Sequence, residues 1–168
     1  LSGSILVDST YNCAPKSLDR MINNVHNLRN GVFPDYKIIL FIGDMRELGD
    51  FEEQEHRLVA GIMSQVADYV YLVGTNTTKY THDELLKIGF QGENIKSFLS
   101  AVKAGLDLQN FLLSSNSKYV ILFKGSQNTI FSEEGLKQVL LNEDDNKKLP
   151  RQSHWWQNKK NNFFKTLN

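Results

Sequence analysis

Cysteine is almost absent: Cys13 is the only one in 168 residues. A single thiol excludes an internal disulfide framework and fits a reducing, cytoplasmic compartment. Long apolar runs are missing as well. None approaches the roughly 18 residues a membrane helix requires, so no transmembrane segment is expected. The opening Leu1-Ser2-Gly3-Ser4 has neither the charged start nor the apolar stretch of a signal peptide, and reads as a chain cut at a linker. There is no G-x-x-x-x-G-K-[ST] string to cradle a triphosphate, and no G-x-G-x-x-G after a strand. No Cys/His cluster offers metal ligands, and no G-x-S-x-G marks a nucleophile elbow. Taken alone, the chain lacks the parts for phosphoryl chemistry and is expected to be inactive.

Net charge is also absent, but only in the sum. Residues 147–168 carry six Lys/Arg and no acid, which leaves 13 bases against 19 acids on residues 1–146. A basic tail on an acidic body can dock on that body, on a neighbour, or on a membrane surface. Docking on the body leads, and nucleic acid is not an expected partner. Within the tail, Trp156, Lys160, Phe163 and Phe164 fall at helical spacing, beside Trp155. With 40% hydrophobic and 23% charged residues, the balance is that of a soluble globular domain with one sizeable core.

What is present is an alternation of short apolar runs and longer amphipathic stretches. Ile5-Leu6-Val7 enters a polar loop. Residues 15–30 open with Pro15, place Leu18, Met21, Ile22, Val25 and Leu28 on one helical face, and close on Gly31 as a C-cap. Lys37–Ile42 is a continuous apolar strand ended by Gly43-Asp44. A helix over 51–67 puts Leu58, Val59, Ile62, Met63 and Val66 on one face. Strands follow at Tyr69–Val73, Ile95–Phe98 and Tyr119–Phe123, with helices at Thr81–Ile88, Ala101–Leu113 and Ser132–Leu141. Strands buried on both faces and separated by helices imply a three-layer α/β fold with a mostly parallel, Rossmann-like sheet. Ligands of such sheets bind at the carboxyl ends of the strands. Here those ends carry the loops Asp8–Pro15, Gly43–Gly49, Gly74–Thr78 and Lys124–Thr129.

The polar residues of these loops each have two readings. Asp8 can accept from ribose hydroxyls or cap its own turn. Tyr11 and Asn12 offer an aromatic face and an amide suited to an adenine ring, or pack within the loop. Ser17 can meet a ligand or satisfy first-turn amides, and the cap is favoured. Arg46 can pair with an anion or stay solvated, and solvation is favoured. Lys124 places a point charge for a carboxylate or phosphate beside Gly125, which permits close backbone approach. The other reading of Lys124-Gly125-Ser126 is a serine-capped helix start. Cys13 reads as a small packed residue rather than a nucleophile.

Several strings resemble the C-terminal domain of Mur ligases, closest to the MurF type. Residues 5–17, I-L-V-D-S-T-Y-N-C-A-P-K-S, are similar to its I-D-D-[ST]-Y-N-A-N-P-x-S opening, with Asp8, Thr10, Tyr11, Asn12, Pro15 and Ser17 matching. Phe41–Gly49 resembles its L-G-D-M-x-E-L-G, and Glu55-His56-Arg57 its E-x-H segment. Ala67-Asp68 with Tyr71–Gly74 resembles A-D-x-V-x-x-V-G, and Leu122–Ser126 resembles V-L-x-K-G-S. The resemblance implies that residues 1–146 close a three-domain, ATP-dependent peptide ligase of peptidoglycan synthesis, with 147–168 as an added tail. The missing N-terminal and central domains bind the UDP-muramoyl-tripeptide and carry the P-loop and Mg2+ ligands. By the same resemblance, this domain is expected to close over ATP and bring in D-alanyl-D-alanine.

At the site, the resemblance implies nucleotide binding by Asp8, Thr10, Tyr11 and Asn12. It implies an acceptor site or cleft at Asp44, Glu47, His56, Lys124, Gly125 and Ser126, and Arg46 joins them as a candidate at a position the family pattern leaves open. No residue is singled out as catalytic and no metal ligand is expected in this domain. Two departures stand out: Ser9 replaces the family's second Asp, and Ala14 its second Asn. They keep open a non-catalytic module of the same fold that holds a nucleotide or partner. A superfamily ligase with another acceptor is the third reading, although the H-N-P signature of the cyanophycin and folylpolyglutamate types is absent.

Overall fold

The computed structural model describes residues 3–167, so the linker reading of Leu1 and Ser2 lies outside it. Five parallel strands form one sheet: β1 (Ile5–Ser9), β2 (Lys37–Gly43), β3 (Tyr69–Val73), β4 (Ile95–Phe98) and β5 (Tyr119–Lys124). Their spatial order is β1-β5-β2-β3-β4. The helices are α1 (Pro15–Val32), α2 (Glu52–Val66), α3 (His82–Lys87), α4 (Ala101–Ser114), α5 (Ser132–Lys137) and α6 (His154–Lys165).

Alternation along the strands divides the core in two. Ile38, Leu40, Ile42, Val70, Leu72, Val120 and Leu122 face one way, onto Leu18, Ile22 and Val25 of α1 and Val59 and Met63 of α2. Ile39, Phe41, Tyr71, Val73, Ile121 and Phe123 face the other way, onto Ala104, Leu108 and Leu112 of α4 and Leu136 of α5. Burial on both faces explains why these strands read as unbroken apolar runs. The fold is a three-layer α/β sandwich. Because all five strands run parallel, their carboxyl ends share one edge of the sheet.

Four local expectations are corrected. Gly31 does not cap α1, which runs on to Val32 and ends at Phe33 (φ −128°). Pro34 follows, and the residue before a proline is pushed out of the helical region. Leu58 is exposed rather than packed on the sheet; α2 instead buries His56 and Ala60 alongside Val59 and Met63. Asp8 lies within β1 rather than beyond it. The last body helix is shorter than 132–141: beyond Lys137 the turns tighten to i→i+3 bonds, Gln138 N to Gly135 O and Val139 N to Leu136 O. At the head of α3, Thr77–Thr81 forms a single wide π turn.

Candidate functional site

The site is assembled where β5 enters the sheet between β1 and β2. Ser9 lies in register with Lys124, and Lys124 with Ile42 on the other side. The loops after β1 and β5 therefore leave the same edge side by side.

The first loop is shaped from within. One oxygen of Asp8 accepts from the amide and the hydroxyl of Thr10, at 2.9 and 2.7 Å, an Asx turn. Thr10 is buried and spends its hydroxyl on Asp8, so it presents no free group at the surface of the loop. Asn12 Oδ1 accepts from the following amide of Cys13 at 2.8 Å. Tyr11 projects outward, 70% exposed. What the loop presents is one free carboxylate oxygen, an aromatic face and an amide. Ser17 makes no cap; Ala14 precedes α1 and Pro15 fills its first turn without a side-chain cap hydrogen bond.

Lys124 does not reach into open space. It is 2% exposed, and its ammonium donates to Asn12 O at 2.7 Å and Ser9 Oγ at 3.2 Å. Among the described residues no carboxylate lies within ion-pair distance of it. Burial pulls it below the usual lysine value, with a weaker opposing pull from Cys13. The lysine thus ties the β5 edge to the β1 loop. The serine-capped reading of Ser126 also falls away, because α5 begins six residues later, at Ser132. The hydroxyls of Ser126 and Ser132 are both buried without a partner among the described residues. Cys13 packs beneath this loop, its thiol pushed up to about 12 by burial, so it is no nucleophile at neutral pH.

Two more of the expected site residues turn inward. Asp44 is buried and accepts from the amide and hydroxyl of Thr77, at 2.8 and 2.9 Å. That bond pins the β2 end to the β3 end. Gly74 makes room for it: at φ +116°, a Cβ there would sit 2.5 Å from the carboxylate. His56 is fully buried on α2. Its Nε2 accepts from the Met45 amide at 3.1 Å and its Nδ1 faces Glu52 O at 2.7 Å. An amide donor on one nitrogen and a carbonyl on the other specify a neutral ring protonated at Nδ1. It holds the 44–49 loop rather than lining a cleft.

Arg46 and Glu47 stay exposed on that loop. Glu47 takes φ +64° at its turn, and Arg46 donates to Thr129 Oγ1 at 3.0 Å, joining the β2 loop to the β5 loop. The β5 loop is itself strained: Asn128, Thr129 and Phe131 all have positive φ, between 51° and 64°. Such backbone in non-glycine residues costs on the order of 1 kcal/mol or more each and needs its surroundings to enforce it.

Sequence reasoning missed what enforces it. Phe131 is buried against Trp156, Phe163 and Phe164 of α6, and Lys159 donates to Asn128 Oδ1. Arg151, before α6, forks onto Glu133 of α5, Nε to Oε1 at 2.8 Å and Nη2 to Oε2 at 2.6 Å. The same guanidinium donates to Thr10 O at 2.6 Å and Tyr11 O at 3.0 Å. Lys160 adds bonds to Glu133, Glu134 and Arg151 O. Burial pushes the Glu133 carboxyl up, but the hydrogen bonds and charges of Arg151 and Lys160 outweigh it and hold it below the usual range. Basic and aromatic tail residues were visible in the sequence, but nothing in their spacing names partners about 140 residues away.

Among the described residues, no group of three or more His, Cys, Asp or Glu is placed to hold a metal ion. No described helix is long and apolar enough to cross a membrane. A hollow of about 590 Å³, lined by Lys37, Asp68, Tyr69 and Gln91, lies at the amino-terminal ends of β2 and β3, away from this edge.

Residues 2–127 match the family described as Mur ligase, glutamate ligase domain. Two crystal structures of MurF from Acinetobacter baumannii are similar at TM-scores of 0.64 and 0.61, each with 26% identity. They cover 80% and 83% of this chain, and the chain spans only 27% and 28% of theirs. MurF ligase from Thermotoga maritima, in complex with ADP, gives a TM-score of 0.60 at 24% identity, over 88% of this chain and 30% of its own. That last likeness concerns the fold alone. No curated protein matches significantly.

Proposed function

This chain belongs to the Mur ligase, glutamate ligase domain, family, and on that premise we propose that it is the C-terminal domain of an ATP-dependent amide ligase that adds D-alanyl-D-alanine to a peptidoglycan precursor. The observation that carries this reading is the bond from Lys124 to Asn12 O. It makes one edge of two loops, one suited to a nucleoside and the other to an acceptor. The 26% identity with MurF over four-fifths of the chain supports the choice of acceptor.

In this reading the free oxygen of Asp8 accepts from ribose hydroxyls, and Tyr11 and Asn12 meet the adenine. Gly125 and Ser126 shape the acceptor side from beneath the β5 loop: both are buried, and Ser132 and Ile130 fill the space beside Gly125. Lys124 lends positive charge from behind, and Arg46 stands at the rim. The precursor's terminal carboxylate attacks the γ-phosphate, releasing ADP and giving an acyl phosphate. The dipeptide amine then attacks that carbonyl, expelling phosphate and forming the amide. The β- and γ-phosphates, Mg2+ and the UDP-muramoyl-tripeptide belong to the N-terminal and central domains. Among the described residues no cluster is placed to hold the metal, and the part of this domain in the reading is to bind, orient and exclude water. A reducing cytoplasm suits the lone buried thiol.

A second reading, a non-catalytic module of the same fold, is favoured by one observation. Ser9 meets Lys124 where the family pattern has an acid, so a neutral hydroxyl at 3.2 Å stands where a carboxylate could pair with the lysine. A ligase of the superfamily with another acceptor is distinguished by substrate alone. The test is ADP release by the full-length ligase carrying this domain, with UDP-muramoyl-tripeptide and a panel of dipeptides. Turnover with D-alanyl-D-alanine is expected. Turnover with another acceptor only, or nucleotide binding without turnover, refutes the proposal in favour of one of the alternatives.

A further inference from the structure

We propose that Arg151 is a positioning residue that holds the Asp8–Asn12 loop in the shape offered to the nucleotide. The inference rests on the nucleotide reading above and assigns a role to a residue outside the stretch shared with the family, which ends at 127.

Four of the five guanidinium N–H groups are spent, two on Glu133 and two on the carbonyls of Thr10 and Tyr11. An ion pair alone would need only Glu133. The second half of the fork grips two consecutive backbone oxygens, which fixes the peptide planes on either side of Tyr11. The guanidinium also lies 5.9 Å from the Tyr11 ring and 5.9 Å from that of Trp156. Tyr11, otherwise 70% exposed, is thus held from one side only. Arg151 is itself over-determined: its φ is +59°, and its carbonyl accepts from Lys160 at 2.9 Å. Buried ion pairs add little net stability over apolar packing of the same shape. What this network supplies is position, and the position it sets is that of the loop bearing Asp8, Tyr11 and Asn12.

Two variants separate positioning from bulk stability. Arg151→Lys keeps a charge beside Glu133 but lacks a fork to reach both carbonyls. Glu133→Gln with Arg151→Met removes both charges, so no buried carboxylate is left alone. Amide hydrogen exchange and thermal unfolding are measured on the 168-residue chain, and the Michaelis constants on the full-length ligase. Both variants are expected to exchange the Thr10 and Cys13 amides faster by tenfold or more, with β2 and β5 amides little changed. The ATP KM is expected to rise roughly three- to tenfold, because the loop must then be ordered on binding, with kcat and the dipeptide KM nearly unchanged. Loop exchange equal to that of the unaltered chain overturns the proposal. So does a uniform rise across core amides in step with a lower Tm, which would make Arg151 merely structural. If the unaltered ligase does not use ATP at all, the function proposed above fails instead, and the loop-specific exchange still decides whether Arg151 positions this loop.

Discussion

At the scale of single residues, most polar side chains at the edge serve the protein first. Asp44, His56, Thr10 and Lys124 each spend their hydrogen bonds on backbone or neighbouring side chains. Sequence identifies residue types at strand ends but not the direction in which they point. A lysine after a strand reads as a free charge until Asn12 O is found 2.7 Å away. That contact sets the expected outcome of Lys124→Met. The substitution removes the charge-assisted bond that ties the loop after β1, and under the proposed function the ATP KM should rise about tenfold, the order of a loss of about 1.4 kcal/mol. The dipeptide KM should rise less. Steady-state kinetics with each substrate varied in turn decides the matter; a rise confined to the dipeptide would return Lys124 to the acceptor. Tyr11 differs from these in remaining exposed, as an aromatic ring just past a strand end.

At the scale of elements, the central strands were legible because burial on both faces makes them unbroken apolar runs, as in Ile38–Ile42 and Val120–Phe123. Their order was not. Nothing in a run such as Val-Ile-Leu-Phe says that β5 lies between β1 and β2, and that insertion creates the shared edge. The clasp from α5 to the segment before α6 was equally hidden, since Glu133 and Arg151 are ordinary surface residue types until both are buried. Its charge makes it sensitive to acid. Glu133 is held below the usual carboxylate range in the folded chain, so on lowering the pH the unfolded state takes up the proton first. The stabilisation is complete above the ordinary glutamate value of about 4.3 and is lost as pH falls through the lower folded value. Loosening of α6 should therefore precede loss of the sheet, visible as a blunted pH dependence of Trp155 and Trp156 fluorescence in Glu133→Gln. Identical profiles for the two proteins would show that the carboxylate does not control the tail.

At the scale of the whole molecule, the division into acidic body and basic tail resolves into local pairings. Arg151 and Lys160 meet Glu133 and Glu134, while Lys147 and Lys148 pair with Asp144 and Asp145 beside them. The tail's helix rests on the β5 loop, where its aromatics hold Phe131. The family was legible from motifs spread over residues 5–126, since all but the Glu55–Arg57 segment of α2 run into a strand end the fold requires. The tail carried no such pattern. The chain spans less than a third of the MurF structures it resembles, and its expected task is to present one edge to ATP bound by another domain. Photolabelling of the full-length ligase with 8-azido-ATP, followed by peptide mapping, tests that task most directly. Adenine-linked label is predicted within residues 8–12, centred on Tyr11, and protectable by ATP. Label reproducibly placed at the hollow lined by Lys37, Asp68 and Gln91, or absent from this domain while the ligase turns over, would contradict the account.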